Sequence, residues 1–137
     1  MDLVRAVGRL LIAWLFVNAG QDVLRHPEGR AKVATPLLDR LHATVPFLPD
    51  DNVLLVQTNA AVQIGAAVAL ALGRFPRFAA LVLASSLVPT TLAGHPFWRH
   101  DDPASRAQQR IHFNKNLAII GGLLFSAAES KTSRRLR

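Results

Sequence analysis

The sequence predicts an all-α integral membrane protein: a four-helix bundle with both termini in the cytoplasm and a short interfacial helix between its first two spans. Half of the 137 residues are hydrophobic and 18% are charged. The lysines and arginines lie in short clusters beside apolar runs, which is typical of membrane proteins. One transmembrane domain is expected to cover residues 1–137. The alternative is a cytosolic helical bundle with two unusually apolar helices.

The first two spans are expected at about residues 4–23 and 53–73. Arg5 and Arg9 lie on the opening turns of the first span, where arginine side chains reach the lipid headgroups. The second span carries no charged residue. Its length matches about 30 Å of hydrocarbon at about 1.5 Å per residue, so it gives the strongest membrane signal in the chain.

The third and fourth spans are expected at about residues 76–94 and 112–128. Pro76 suits a first helical turn, and Pro89 is expected to kink the third helix. The apolar part of the fourth span is short. However, Asp102-Pro103 has the pattern of an N-cap followed by a first-turn proline, which predicts one long helix that begins in polar surroundings and then enters the bilayer.

The linker between the first two spans is the longest in the chain. Thr35-Pro36 is predicted to start a short helix within it, because proline suits the first turn of a helix. A helix with one apolar face lies on the membrane surface or caps a bundle. That face would consist of Leu37, Leu38, Leu41 and Val45.

Three basic clusters set the predicted orientation. Four crossings place all of them on one side of the membrane, which is the cytoplasmic side, whereas two, three or five crossings would scatter them. The clusters are Arg5 with Arg9, Arg74 with Arg77, and the basic tail 129–137 with Lys131, Arg134, Arg135 and Arg137.

Small residues and aromatics supply two further predictions. Ala61, Gly65, Ala69 and Gly73 recur every four residues, a ridge that lets another helix backbone approach closely. Gly121-Gly122 in the fourth span is a candidate facing surface. At the end of the third span, Phe97-Trp98 is interpreted as part of an aromatic belt at the outer interface.

Polar side chains in the spans mark the candidate site. Asn59 and Gln63 are one helical turn apart and therefore face the same way. In lipid such amides either bond a neighbouring helix or line a small polar pocket, for a quinone carbonyl or a similar solute. Asn18 and Gln21 in the first span are expected to converge on the same place.

Lys115 lies near the outer end of the fourth span and completes the tentative ligand-binding set. Three roles stay open for it: reaching lipid phosphates, neutralising Asp22 across the bundle, or binding the anion of a ligand. No metal site is predicted, because no pair of histidines has the one-turn spacing of a helical zinc motif. The histidines, all on the predicted outer side, are His26, His42, His95, His100 and His112.

Composition excludes several classes of function. The chain has no cysteine, so disulfides, thiolate catalysis and cysteine-ligated metals are excluded. Its formal charge is +7, but the basic residues do not interleave with aromatics on one element, so no nucleic-acid partner is expected. No nucleophile elbow, phosphate-binding loop or carboxylate pair suggests a catalytic site.

Six short motifs, in order along the chain, resemble a known family. They are FVNAG at 16–20, RHPE at 25–28, QIGAA at 63–67, LGR at 72–74, LVPTTLAGHPFW at 87–98 and NLAIIGGLL at 116–124. Their order is similar to that of the DoxX family of small bacterial membrane proteins, and the resemblance covers nearly the whole chain.

The resemblance implies a four-helix membrane fold and an association with redox chemistry. DoxX relatives are described as small subunits of quinol-linked or thiosulfate-linked oxidoreductases, or as membrane anchors for soluble redox and detoxifying enzymes. Where many relatives have a membrane-embedded glutamate followed by two glycines, this chain has Gln63 and then alanines at 66 and 67. A glutamine does not exchange a proton near neutral pH, which argues against a proton-coupled role at that position.

The expected function is that of a non-catalytic subunit or inner-membrane anchor that works with quinol-linked, thiosulfate-linked or oxidative-stress enzymes. The alternative is a bundle that itself binds or moves a small lipophilic molecule such as a quinone. A stand-alone oxidoreductase is a third hypothesis. The expected partners are membrane lipids, a redox enzyme and a second copy of the chain, and quinone is the one cofactor considered.

Overall fold

A computed structural model of the protein describes residues 2–129, and these residues form helices and no strands. A single 3₁₀ turn at Phe97–Arg99 separates the last two helices. The predicted basic cluster Lys131, Arg134, Arg135 and Arg137 lies outside the described residues. The helices are α1 (Asp2–Arg25), α2 (Pro27–Thr44), α3 (Asn52–Ala71), α4 (Pro76–Gly94) and α5 (Pro103–Glu129).

Three of these helices are long and apolar enough to cross a membrane. They correspond to Leu3–Arg25, Asn52–Ala71 and Pro76–Arg99, which matches the first three predicted spans. The expected fourth crossing, on α5, is not among them, because the first half of that helix is rich in polar and charged residues. The all-helical fold is confirmed, and four crossings stay a prediction.

Capping and turn residues explain where several helices begin. Asp51 precedes α3, and its Oδ1 accepts hydrogen bonds from the backbone N–H groups of Val53 at 2.9 Å and Leu54 at 3.1 Å. Between α3 and α4 the chain reverses sharply through Gly73, which has a φ of +66°, a conformation that favours glycine. Pro76 then occupies the first turn of α4, as predicted.

The start of α5 follows the predicted capping pattern. Asp102 Oδ2 accepts a hydrogen bond from the backbone N–H of Ser105 at 2.8 Å, and Pro103 is the first residue of the helix. The hydrogen bond from the Ser105 backbone, and after it the bond from the Ser105 side chain, favours the charged carboxylate and lowers the pKa of Asp102.

The helix between the first two spans is longer than predicted. α2 begins at Pro27, so the prediction that it starts at Thr35-Pro36 is wrong. Proline suits a first turn at either place, and tertiary packing decides between them. Residues spaced three or four apart on α2 are buried against α3 and α4; they are Pro27, Ala31, Ala34 and Leu38.

Two contacts place the ends of four helices together. Arg9 Nη1 lies 3.0 Å from the position that a Cβ on Gly73 would occupy, so the start of α1 is beside the α3–α4 turn. Arg77 Nε donates a hydrogen bond to the Ala127 carbonyl at 2.9 Å, which ties the start of α4 to the last turns of α5. We call this the arginine end.

Close packing is concentrated toward the arginine end. Leu70, Leu83 and Leu123 are fully buried, and they come from α3, α4 and α5. Alanines on the same helices fill the space between them. The core consists of Ala13, Phe16, Ala67, Leu70, Ala79, Ala80, Leu83, Ala84, Leu87, Leu123 and Ala127.

The small-residue ridge of the second span does not form one continuous contact surface: Ala69 packs against the core and Gly73 lies beside Arg9, but the first half of the ridge faces outward. Ala61 and Gly65 are exposed, and a Cβ on Gly65 would meet nothing within 4 Å. The same holds for the Gly121-Gly122 pair. The close helix approach occurs instead at Gly20 of α1, where an added Cβ would lie 2.6 Å from Ile64 Cγ1 and 3.2 Å from the Ala60 carbonyl oxygen of α3.

Candidate functional site

A cavity of about 420 Å³ lies away from the arginine end, between all five helices. Its volume is in the range of small-molecule sites, and its lining is mostly aliphatic, as such sites usually are. The aliphatic and aromatic part of the lining consists of Leu15, Phe16, Ala19, Val23, Val33, Ala34, Leu37, Leu38, Leu41, Leu48, Leu55, Val56, Ala60, Leu87, Ala93 and Ile119.

A cluster of polar side chains from α3 and α4 lies in the wall of this cavity. Thr90 Oγ1 accepts hydrogen bonds from Asn59 Nδ2 at 3.0 Å and from Gln63 Nε2 at 3.2 Å. The same hydroxyl donates its proton to the Ser86 carbonyl at 3.0 Å. Gln63 is only 6% exposed, so its amide is held well inside the protein.

The Thr90 hydroxyl fixes how the two amides are oriented. A hydroxyl has one proton and two lone pairs, and here all three are used. Both amides must therefore turn an N–H toward Thr90, which directs their carbonyl oxygens elsewhere. Each oxygen, and the second N–H of each amide, has no side-chain partner among residues 2–129, so Asn59 and Gln63 retain acceptors and donors for a molecule in the cavity.

A second polar link joins α5 to α4 beside the first. Asn116 Nδ2 donates to Thr91 Oγ1 at 3.0 Å, and Thr91 donates to the Leu87 carbonyl at 2.7 Å. Both side chains are buried. Consecutive threonines thus serve different neighbours: Thr90 bonds α3 and Thr91 bonds α5.

Basic side chains line another part of the cavity. They are Arg30 on α2, Lys115 on α5 and His95, which follows α4. His95 Nδ1 lies 2.8 Å from Gln109 Oε1, and its ring stacks on that of His112 with centroids 5.2 Å apart. The ring is therefore held in place by two α5 side chains.

Three of the five predicted ligand-binding residues line the cavity, and two do not. Asn59, Gln63 and Lys115 are in the lining. Asn18 and Gln21 are exposed and outside it, and Asn18 Nδ2 donates to the carbonyl of Trp14 in its own helix at 2.8 Å. The apolar face of α1, which includes Phe16 and Ala19, is turned toward the cavity instead.

The ion pair considered between Lys115 and Asp22 does not form. Asp22 Oδ1 instead lies 3.8 Å from His26 Nδ1, one turn further along the chain, and within residues 2–129 no lysine or arginine lies within ion-pair distance of a carboxylate. Over the same residues, no group of three histidines or carboxylates is placed to hold a metal ion. The aromatic rings of Phe97, Trp98 and Phe113 form an edge-on cluster with centroids 5.1 to 5.9 Å apart.

Sequence reasoning missed four contributors to the site: Arg30, Thr90, His95 and Asn116. Thr90 and Asn116 carried a usable signal, because polar side chains in apolar helices usually bond each other. Arg30 was hidden by the misplaced start of α2. With the helix begun at Pro27, it falls one turn before Ala34, on the side that faces the other helices.

The fold and its surface define a multi-pass membrane protein. Three helices have the length and apolarity of membrane spans, and large apolar side chains such as Trp14, Phe78 and Phe125 point outward. A soluble protein rarely exposes such extensive apolar surface.

The chain belongs to the DoxX family. The family model matches residues 4–96, more than half of the chain, and this confirms the resemblance suggested by the sequence motifs. The match spans α1 to α4, whereas the motif at 116–124 lies beyond it. No curated protein and no solved structure matches the chain.

Proposed function

We propose that the protein binds a small lipophilic molecule with an oxygen-bearing head inside the cavity between its five helices. The observation that carries this proposal is the pair of amides, Asn59 and Gln63, held by Thr90 in the wall of a mostly aliphatic cavity. An apolar chamber with a few fixed polar groups is the usual form of a small-molecule site.

A quinone or quinol suits these groups. The free N–H of each amide donates to a quinone carbonyl, and each amide oxygen accepts from a quinol hydroxyl, so both redox forms find a partner. Each such bond contributes about 1 kcal/mol to affinity. Gln63 holds the ligand without exchanging a proton, so its role is positioning.

A redox enzyme is proposed as the partner. Membership of the DoxX family and the basic side chains at the arginine end, including the exposed Arg74, support an anchoring role in which an enzyme docks there. Co-purification in mild detergent tests it: a redox enzyme should be retained by the wild type and lost when Arg74 is changed to Glu. Retention by that variant would contradict docking at this end.

The proposed topology has four crossings of the inner membrane with the arginine end in the cytoplasm. The grouping of Arg9, Arg77 and the last turns of α5 supports it, because basic clusters stay on the cytoplasmic side. In this arrangement α2 lies at the interface on the opposite side and closes the cavity.

Gln63→Leu tests the binding site directly. This change keeps the approximate volume and removes the amide, so we expect the Kd for a benzoquinone with a ten-carbon tail to rise at least fivefold, or about 1 kcal/mol. The measurement is isothermal titration in neutral maltoside micelles.

Gln57→Leu is the matched control for that measurement. Gln57 is on the same helix, is half-buried and does not line the cavity, so its substitution should leave the Kd unchanged. An unchanged Kd in Gln63→Leu would remove that residue from the site and leave its amide as a bond between helices. If the wild type took up no lipophilic probe, the proposed function would be wrong.

A further inference from the structure

The charges in the cavity lining are all of one sign. Its basic residues are Arg30, Lys115 and His95, and no aspartate or glutamate among residues 2–129 lines it. Arg30 and Lys115 are exposed and also line the cavity, so the polar head of a ligand beside them would meet positive charge.

Arg30 and Lys115 have no acidic partner in the part of the chain that the structure describes, because no carboxylate there lies within ion-pair distance of either side chain. Both are close enough to His95 to act on it electrostatically, as is His112. Basic side chains from α2, from the residue after α4 and from α5 therefore lie near one part of the cavity, and an anion there would be attracted by the charges of Arg30 and Lys115.

The apolar lining of the cavity follows α2 away from Arg30. Arg30 is in the first turns of that helix, and Leu41 lies eleven residues further on, about 16 Å away at about 1.5 Å per residue. Between them, Val33, Leu37 and Leu38 also line the cavity. A single hydrocarbon chain lying along these side chains would have its head beside Arg30.

We infer that the cavity takes a single-chain amphiphile with an anionic carboxylate head, which Arg30 and Lys115 bind while the chain lies along the apolar face of α2. This inference rests on the proposed function and names the class of ligand for the same cavity. It also selects one of the three roles left open for Lys115 by its sequence, which is binding an anion.

The test compares three ligands with the same twelve-carbon chain and different heads: laurate, dodecanol and dodecylamine. Native mass spectrometry of the full chain, released from a neutral detergent, reports the fraction bound at each concentration. We expect laurate to bind at least tenfold more tightly than dodecanol, and dodecylamine to bind least. This comparison needs no substitution and so does not depend on how a variant folds.

Arg30→Gln and Lys115→Gln then assign the selectivity to the two side chains. Both residues are exposed, so neither change disturbs the core, and each should lower the preference for laurate over dodecanol severalfold. Lys32→Gln on α2 and Arg110→Gln on α5 remove the same charge from the same helices outside the cavity. These two controls should keep the preference.

Each of the other possible results would contradict a different part of the proposal. Equal binding of dodecanol and laurate would overturn the anionic head and leave the proposed function standing. If Lys32→Gln lowered the preference for laurate over dodecanol as much as Arg30→Gln does, the selectivity would come from general attraction by surface charge. That result would also overturn the inference. If two-chain dilauroyl phosphatidate bound in place of laurate, the inference of a single-chain ligand would be wrong. If no ligand bound at all, the proposed function itself would be wrong.

Discussion

The arginine end and the cavity end of the protein are built from the same helices in opposite ways. At the arginine end, α3 supplies Ala67 and Leu70 to a core without exposed side chains. One or two turns away on the same helix, Asn59 and Gln63 border a chamber of about 420 Å³. Close packing at the arginine end therefore holds the helices together, while the cavity end stays hollow.

Physical chemistry explains why the two ends cannot contribute equally to stability. In lipid, helices associate through close packing and hydrogen bonds, because burial from water supplies little. A side chain beside an empty space lacks partner atoms on that side and loses their dispersion energy. The free energy of unfolding should therefore be most sensitive to the arginine end, and ligand affinity to the cavity end.

Leu83→Ala should have the largest effect on stability. Leu83 is fully buried in the core, so we expect its truncation to lower the free energy of unfolding by about 2 to 4 kcal/mol. Leu37→Ala, in the cavity lining, should cost about 1 kcal/mol or less, because Leu37 already borders empty space. Denaturant titration in mixed micelles, followed by circular dichroism, measures both.

Leu81→Ala controls for the loss of a leucine from α4. Leu81 is 46% exposed and points away from the core, so its truncation should change the free energy of unfolding by less than about 0.5 kcal/mol. If Leu37→Ala proved as costly as Leu83→Ala, the distinction between a packed end and a hollow end would be lost.

Gly20→Ala should have the next largest effect, because it tests the contact that joins α1 to the cavity wall. The new methyl group would lie 2.6 Å from Ile64 Cγ1 and 3.2 Å from the Ala60 carbonyl oxygen, so the Ile64 side chain or the helices must shift, at a cost of about 1 to 3 kcal/mol. Gly65→Ala meets no atom within 4 Å and should be neutral or slightly stabilising. The same denaturant titration compares the two.

The double variant Gly20→Ala with Ile64→Ala separates crowding from a general effect on α1. Removing the Ile64 side chain makes room for the methyl group, so the double variant should be less unstable than the sum of the two single changes. Simple additivity would show that the close approach at Gly20 does not limit packing.

The helices that pass through both ends were predictable from the sequence. Long runs without charge and proline at a first turn fix α3 and α4 through local chemistry. The start of α2 was mispredicted because Pro27 and Pro36 give the same local signal, and only packing against α3 and α4 distinguishes them. The prediction of a helix contact at Ala61 and Gly65 was wrong for a similar reason, because spacing alone does not show which face of a helix meets a neighbour.

The candidate site was predictable only in its α3 part and at Lys115. Asn59 and Gln63 stand out because amides are rare in an apolar run, whereas Asn18 and Gln21 had the same appearance and face outward. α1 is rotated so that Gly20 lies against α3, and no residue pattern within α1 reveals this. Likewise, Arg30 lies in the site because of how α2 packs against the other helices, and the local sequence does not determine that packing.

Asp102→Ala should have the smallest effect, because it acts at the exposed start of α5, far from the packed end. The carboxylate accepts the N–H of Ser105 at 2.8 Å, and its lowered pKa shows that the folded state prefers the charged form. A lowered folded-state pKa gives stability that is present above the unfolded pKa of about 3.9 and is lost as pH falls through the folded value.

The wild type and Asp102→Ala should therefore differ slightly in Tm at pH 7 and converge as the pH is lowered below about 4. Asp102→Asn keeps a capping oxygen that does not titrate, so it should stay close to the wild type at pH 7 and lack the acid-dependent loss. Thermal unfolding in neutral micelles from pH 7 to pH 3 measures all three. A gap between the wild type and Asp102→Ala that widened toward pH 3 would contradict the assigned direction of the pKa shift, because the stabilising species is the ionised carboxylate.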